Sequence, residues 1–217
     1  ATTELVEDDD LAELGDSLGL TVVRGSQHDV LSRFVLALEQ TDAPVLVRIT
    51  GDCPLLDPGL LEEMIHEFHG QGVDYFSNCI PPTYPDGLDV EIFTRHALLL
   101  AQVECIDPAQ REHVTPWIRD SGRCRLGQKR YHLDYSAMRW TVDEPEDLEV
   151  VRAVVAHFEG RSDFAWEQVL ELAQQQPQLF AANARFARNE GAMMGEGQKL
   201  WRRAKRVIPG GNMLLSK

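Results

Sequence analysis

A chain of 217 residues, 43% of them hydrophobic, has ample material to bury a core, as one large domain or two small ones. Its formal net charge of −14 argues against nucleic acid or an anionic membrane as the main partner, because either would be repelled over most of the surface. Cys53, Cys79, Cys105 and Cys124 form no CxxC pair and no Cys/His zinc spacing, and no apolar run reaches the ~20 residues of a spanning helix. With no secretory leader, the reading is a soluble cytoplasmic protein with reduced thiols.

In chain order the signals alternate between helix and strand, the pattern of an α/β sheet protein. The acidic start EDDDLAELGDSLG predicts a helix with Leu11, Leu14 and Leu18 on one face and Gly19 as its C-cap. LTVVR (20–24) reads as a short strand. Ser26 and Asp29 then open a helix striped by Val30, Leu31, Phe34, Val35 and Leu38. PVLVRIT (44–50), apolar on both faces except Arg48, predicts a central and mostly parallel strand. Asp57 and Pro58 cap the helix carrying Leu61, Met64, Ile65 and Phe68.

VDYFSN (73–78) is the next strand, and PPTYPDG (81–87) is a proline-glycine loop. LDVEIF (88–93) alternates, so Leu88, Val90 and Ile92 face opposite to Asp89, Glu91 and Phe93. Thr94 and Pro108 start further helices, and Thr115-Pro116 restarts the second. KRYHLDY reads as an edge strand and MRWTV (138–142) as a second central strand, followed by a helix with Leu148, Val151, Val154, Val155 and Phe158 inward. Residues 181–217 hold eight Lys/Arg and two Asp/Glu, whereas residues 1–180 hold thirteen and thirty-three. That reversal sets a boundary near residue 180, between a first domain (1–180) and a basic segment (181–217). Ala1 enters a helix directly and the chain stops just after IPGG, so both ends read as cuts inside a longer protein.

Two candidate central strands, VRITGD and RWTVD, each deliver an aspartate, Asp52 and Asp143, where the chain leaves the sheet. Ligands of open α/β sheets bind beyond the carboxyl ends of strands. Two carboxylates there suit Mg²⁺, which takes oxygen ligands and completes its octahedron with phosphate and water. Each aspartate also suits the N-cap of the helix that follows it.

The segments VVRGSQHDVLSRF, VRITGDCPLLDPGLL, TYPDGLDVEIF, REHVTPWIR and MRWTVDEPEDLEVVR, in this order and spacing, closely resemble cytidylyltransferases of the spore-coat-polysaccharide (SpsF) type. These are relatives of the synthetases that attach CMP to N-acetylneuraminate or 3-deoxy-manno-octulosonate. The resemblance implies a Rossmann-like nucleotide-diphospho-sugar-transferase fold, a mostly parallel sheet flanked by helices. It also implies Mg²⁺-dependent transfer of a cytidylyl group from CTP to a sugar, for cell-envelope or spore-coat polysaccharide, with Asp52 and Asp143 as the catalytic and metal-holding residues. Tyr84, Asp86, Asp89, Glu91, Arg111 and His113 become candidates for the sugar side, and Arg24 and Arg33 for the nucleotide. Each of these eight also has a structural reading, as an exposed strand face or a salt-bridged surface. Related synthetases are often dimers, which keeps a homodimer open.

One departure stands out. Family members begin with a strand and a loop resembling ARMxSxRLPGK that holds the triphosphate. No such segment precedes Ala1, which predicts an amino terminus without that loop, a sheet short of one central strand and a fragment with little activity. The tail LWRRAKRVIPGGNMLLSK resembles the start of class III aminotransferases of the glutamate-1-semialdehyde type. That implies a fusion whose further domain binds pyridoxal phosphate. Three rival readings follow: an accessory domain of an aminotransferase, a non-catalytic binding module, and a glycosyltransferase that shares the sheet and the acids.

Overall fold

The computed structural model describes residues 1–161 and 163–188. The tail that resembles an aminotransferase start lies outside the described residues. In chain order the elements are β1 (Thr2–Thr3), α1 (Asp9–Ser17), β2 (Arg24–Gly25), α2 (Val30–Leu38), β3 (Val45–Arg48), α3 (Pro58–Gln71), β4 (Tyr75–Ser77), β5 (Glu91–Thr94), α4 (Arg95–Glu104), α5 (Pro108–His113), α6 (Pro116–Asp120), β6 (Leu126–Gln128), α7 (Pro145–His157) and α8 (Trp166–Gln175).

Side-chain alternation along the strands builds a helix–sheet–helix sandwich. Phe76 of β4 and Ile92 of β5 lie opposite each other and point to one face, where they pack with Met64 and Phe68 of α3, Val154 of α7 and Val169 of α8. Their neighbours Tyr75 and Phe93 point to the other face, against Leu31 and Leu38 of α2, Leu98 of α4 and Ile118 of α6. The predicted division of Leu88, Val90 and Ile92 from Phe93 is thus realised as two separate halves of the core.

The predicted caps form. Asp29 accepts from the Ser32 amide (3.0 Å), Asp57 from those of Gly59 (2.5 Å) and Leu60 (3.0 Å), and Thr94 from that of Ala97 (3.1 Å). The second oxygen of Asp57 takes the Trp166 amide at 2.6 Å, so one buried carboxylate starts α3 and fixes the entry to α8.

Several expectations are corrected. The four-stranded sheet has the order β3-β5-β4-β6 and is mixed, since β5 runs antiparallel to both neighbours while β4 and β6 are parallel. β5 is central. Among the described residues β3 pairs with β5 alone, and β1 and β2 form a separate parallel pair. The continuous apolar run of β3 resembles a central strand because a central strand is apolar on both faces, and a run of that kind does not by itself identify its neighbours. Leu11 and Leu14 do share α1, with Leu18 at its C-cap, but the three are 57%, 54% and 66% exposed. The edge strand expected at 129–135 lies earlier, at β6, and Leu148 and Val155 lie on the outer side of α7.

Among the described residues MRWTV is not a ladder strand; its β-type pairing is one isolated parallel bridge, between Arg139 and Asp86.

Candidate active site

The extended segment 138–142 is the seam of the site. On one side the Asp86 amide donates to the Met138 carbonyl (2.8 Å), and the Trp140 amide to the Asp86 carbonyl (2.7 Å). On the other side the Asp52 carbonyl accepts from the Val142 amide (2.8 Å) and the Thr141 hydroxyl (3.1 Å). Two loops far apart in sequence are therefore stitched to one backbone, and the aspartates they carry converge on it.

Asp143 is the next residue along. Its side chain is 54% exposed and takes a 2.7 Å ion pair from Arg139. Arg139 also bonds both oxygens of the buried Asp147, at 2.9 and 2.8 Å, and lies 3.5 Å from Asp86. Asp52 is half-buried, with the Cys53 thiol 3.4 Å from its carboxylate.

Asp86 is only 10% exposed on its side chain. Burial raises its pKa to about 6, with the charges of Asp89 and Asp143 adding to the rise and those of Arg188 and Arg139 opposing it. Burial likewise raises Asp89, although Arg188 donates a hydrogen bond to it. The charges of Asp89 and Asp143 act on Asp86 and that of Asp52 acts on Asp89, so the four carboxylates share one acidic cleft.

The other predicted site residues are placed differently. Tyr84 is a core residue, its ring 5.4 Å from that of Trp166 and 5.7 Å from that of Tyr131; its carbonyl, not its hydroxyl, accepts from Arg188 (3.2 Å). Glu91 is inside the protein and accepts from the Tyr75 (2.5 Å) and Thr115 (2.6 Å) hydroxyls and from Arg48 (2.5 Å). It links β3, β4, β5 and the start of α6 below the cleft. Arg111 grips Asp29 at 3.0 and 2.9 Å and the end of α4 through Gln102 and Cys105, so it ties helices together. His113 is exposed at the last residue of α5. Arg24 pairs with Asp9 (2.7 Å) and with the carbonyls of Thr3 and Leu5 (both 2.8 Å). Arg33 packs its methylenes against Gly25 and keeps a buried Nε without a partner among the described residues.

Arg139, Asp147 and Arg188 carry much of the site's charge and went unread in the sequence. Arg139 had a signal, being the only charge within an apolar extended run, as Arg48 is in β3. Asp147 reads as an ordinary first-turn acid, and Arg188 meets Asp89 across 99 positions of sequence, which no local pattern announces.

Similarity to known proteins agrees with this arrangement. Residues 1–185 match the family described as cytidylyltransferase. The chain is 33% identical over 189 residues to an uncharacterized protein of Methanocaldococcus jannaschii, covering 85% of this chain and 75% of that one. It is 30% identical over 185 residues to the spore coat polysaccharide biosynthesis protein SpsF of Bacillus subtilis, covering 82% and 74%. Among solved structures, a cytidylyltransferase from Leptospira borgpetersenii superposes with a TM-score of 0.77 at 30% identity, over 82% of this chain and 76% of the other. The chain belongs to the cytidylyltransferase family, and is a nucleotidyltransferase built on that family's α/β fold.

Proposed function

We propose that the protein transfers the cytidylyl group of CTP to a sugar destined for polysaccharide. A sugar hydroxyl oxygen bonds to the α-phosphorus as the α–β phosphoanhydride bond breaks; pyrophosphate departs and the hydroxyl proton passes to water or to a cleft carboxylate. The observation that carries this reading is the seam that holds Asp52 and Asp143 together, by way of the Asp52 carbonyl and the Val142 amide, at the edge of an acidic cleft in a chain of this family. The likeness to a spore coat polysaccharide biosynthesis protein of Bacillus subtilis supports a sugar as acceptor.

The donor set fits a hard divalent ion. Both aspartates offer carboxylate oxygens and reach solvent in part, and no cluster of three or more His, Cys, Asp or Glu among the described residues would hold a metal unaided. A two-carboxylate site that leaves the remaining positions to phosphate and water is the usual protein contribution for Mg²⁺. Asp52 and Asp143 would hold the ion, and it would supply charge stabilisation on the phosphoryl oxygens. Arg139 fixes the orientation of Asp143 and lies 3.5 Å from Asp86; Asp86 and its neighbour Asp89 would be the acceptors for sugar hydroxyls.

The test is Mn²⁺ binding by the native polypeptide in the presence of CTP, read by paramagnetic resonance. Asp52→Asn and Asp143→Asn are each expected to weaken it by at least about tenfold. Binding unchanged in both variants would remove the basis for the metal assignment.

A further inference from the structure

Among the described residues two arginines, Arg139 and Arg188, pair with the acids of the cleft, and they differ in kind. Arg139 is 6% exposed and committed to Asp147 at the base of α7, so it belongs to the core. Arg188 comes from outside: it lies beyond residue 185, where the family match ends, on an irregular segment that crosses the cleft after the short helical turn Pro177–Phe180. That segment is fastened at successive points. Asn183 donates to the Arg139 carbonyl and to Asp147, both at 2.9 Å. The Phe186 ring lies under the guanidinium groups of Arg139 (5.7 Å) and Arg185 (4.8 Å), and the Ala187 carbonyl accepts from Arg139 at 3.4 Å. Arg188 ends the run, donating to the Tyr84 carbonyl (3.2 Å) and to Asp89, with its Nε 3.9 Å from Asp86. Its side chain is 13% exposed, so the guanidinium fills space between these acceptors instead of lying on the surface.

We infer that residues 183–188 are a strap across the acidic cleft, latched by Arg188, and that the latch holds the cleft shut by occupying the Asp86 and Asp89 acceptors. A guanidinium bonded to these carboxylates leaves them unable to accept from a sugar hydroxyl. Opening exchanges the Arg188 contacts for ligand and water contacts, while Asn183 and Phe186 keep the strap's root attached. The consequence for catalysis rests on the reading of Asp86 and Asp89 as sugar-facing; the closure itself rests on contacts alone.

The protein carries its own reporters. Cys53 stands beside Asp52 in the cleft, and Cys79 lies on the same wall, next to Asp89 and Arg188. Cys105 closes α4 in the other half of the core, and Cys124 lies beside Asp74 near β6. The experiment follows alkylation of all four by iodoacetamide at fixed pH, with peptide-resolved mass spectrometry. Arg188→Ala and Arg188→Gln are expected to speed labelling of Cys53 and Cys79 roughly tenfold, the scale of losing one charge-assisted bond, and to leave Cys105 and Cys124 unchanged. Arg188→Lys keeps the charge and stays closer to wild type. Loss of the Arg188 charge raises the Cys79 pKa and by itself slows that thiol, so faster labelling reports opening and not chemistry. Should the Ala variant unfold, seen as fast Cys105 labelling, the Gln variant carries the test, because it keeps the bulk of the side chain and removes only the charge. If Cys53 and Cys79 label no faster in the Gln variant than in wild type, there is no latch. Faster labelling together with undiminished sugar binding in Asp86→Asn and Asp89→Asn would keep the strap and overturn the sugar assignment.

Discussion

The carboxylate of Asp147 accepts from five donors: Nε and Nη2 of Arg139, the Asn183 amide, and the backbone amides of Asp143 and Glu144. Burial pushes its pKa up, yet these hydrogen bonds outweigh burial and leave it below the ordinary carboxylate range. One side chain thus caps α7, anchors Arg139 and holds the root of the strap. Asp147→Asn replaces an acceptor oxygen by an NH₂ that faces donors and leaves the Arg139 charge short of a partner inside the protein. It is expected to cost about 3–5 kcal/mol in urea unfolding, the range for breaking a buried pair from one side. Exposed pairs such as Arg161 with Asp163 are expected to contribute little by comparison.

At the scale of elements the decisive contact is between the proline-glycine loop and the extended segment 138–142. Gly87 has φ +106, and a Cβ there would lie 2.6 Å from the Trp140 carbonyl carbon and 2.7 Å from the Thr141 amide nitrogen. Both the backbone conformation and the close approach require glycine. Gly87→Ala is expected to destabilise the protein by about 3 kcal/mol, combining strain with displaced backbone. The change would also part Asp86 from Arg139 and weaken Mn²⁺ binding, whereas a purely global destabilisation would leave the metal affinity of the folded fraction unchanged. Chemical denaturation and metal titration on the same variant check both expectations.

Taken as a whole, the molecule has carboxylates whose pKa values move in opposite directions, and this shapes its stability against pH. Asp8 is lowered from 3.8 to about 2 by bonds from the Thr2 and Thr3 hydroxyls and the Thr3 amide, and Asp147 is lowered as described. Their stabilisation is present above the unfolded pKa and is lost as pH falls through the folded values. Asp86 is raised from 3.8 to about 6 by burial, so its contribution is full below the unfolded pKa and is lost as pH rises through the folded value. Stability is expected to drop below pH 3.8 and to slope downward between 3.8 and about 6. Asp86→Asn should make the second slope shallower and leave the first unchanged, the remainder of the second coming from Asp89, which burial also raises. Urea midpoints measured across pH 2 to 8 decide it: an unchanged slope in the variant would show that Asp86 is not the group responsible.

The sequence by itself determined the α/β class, the helix caps at Asp29, Asp57 and Thr94, the two-faced pattern of 88–93 and the convergence of interest on Asp52 and Asp143. These follow from local rules: a cap needs its oxygen within three residues of the amide it accepts from, and a strand alternates with period two. Only the tertiary structure decided that β5 and not β3 is central among the described strands, that Glu91 and Tyr84 turn inward, and that Arg139 and Arg188 supply the cations of the cleft. Pairing partners and ion pairs between residues 99 positions apart depend on where the chain returns in space, and hydrophobic periodicity carries no information about that return. The helix predicted from Leu11, Leu14 and Leu18 makes the same point from the other side. Periodicity made the helix and aligned its leucines, but whether that face is covered depends on what packs against it.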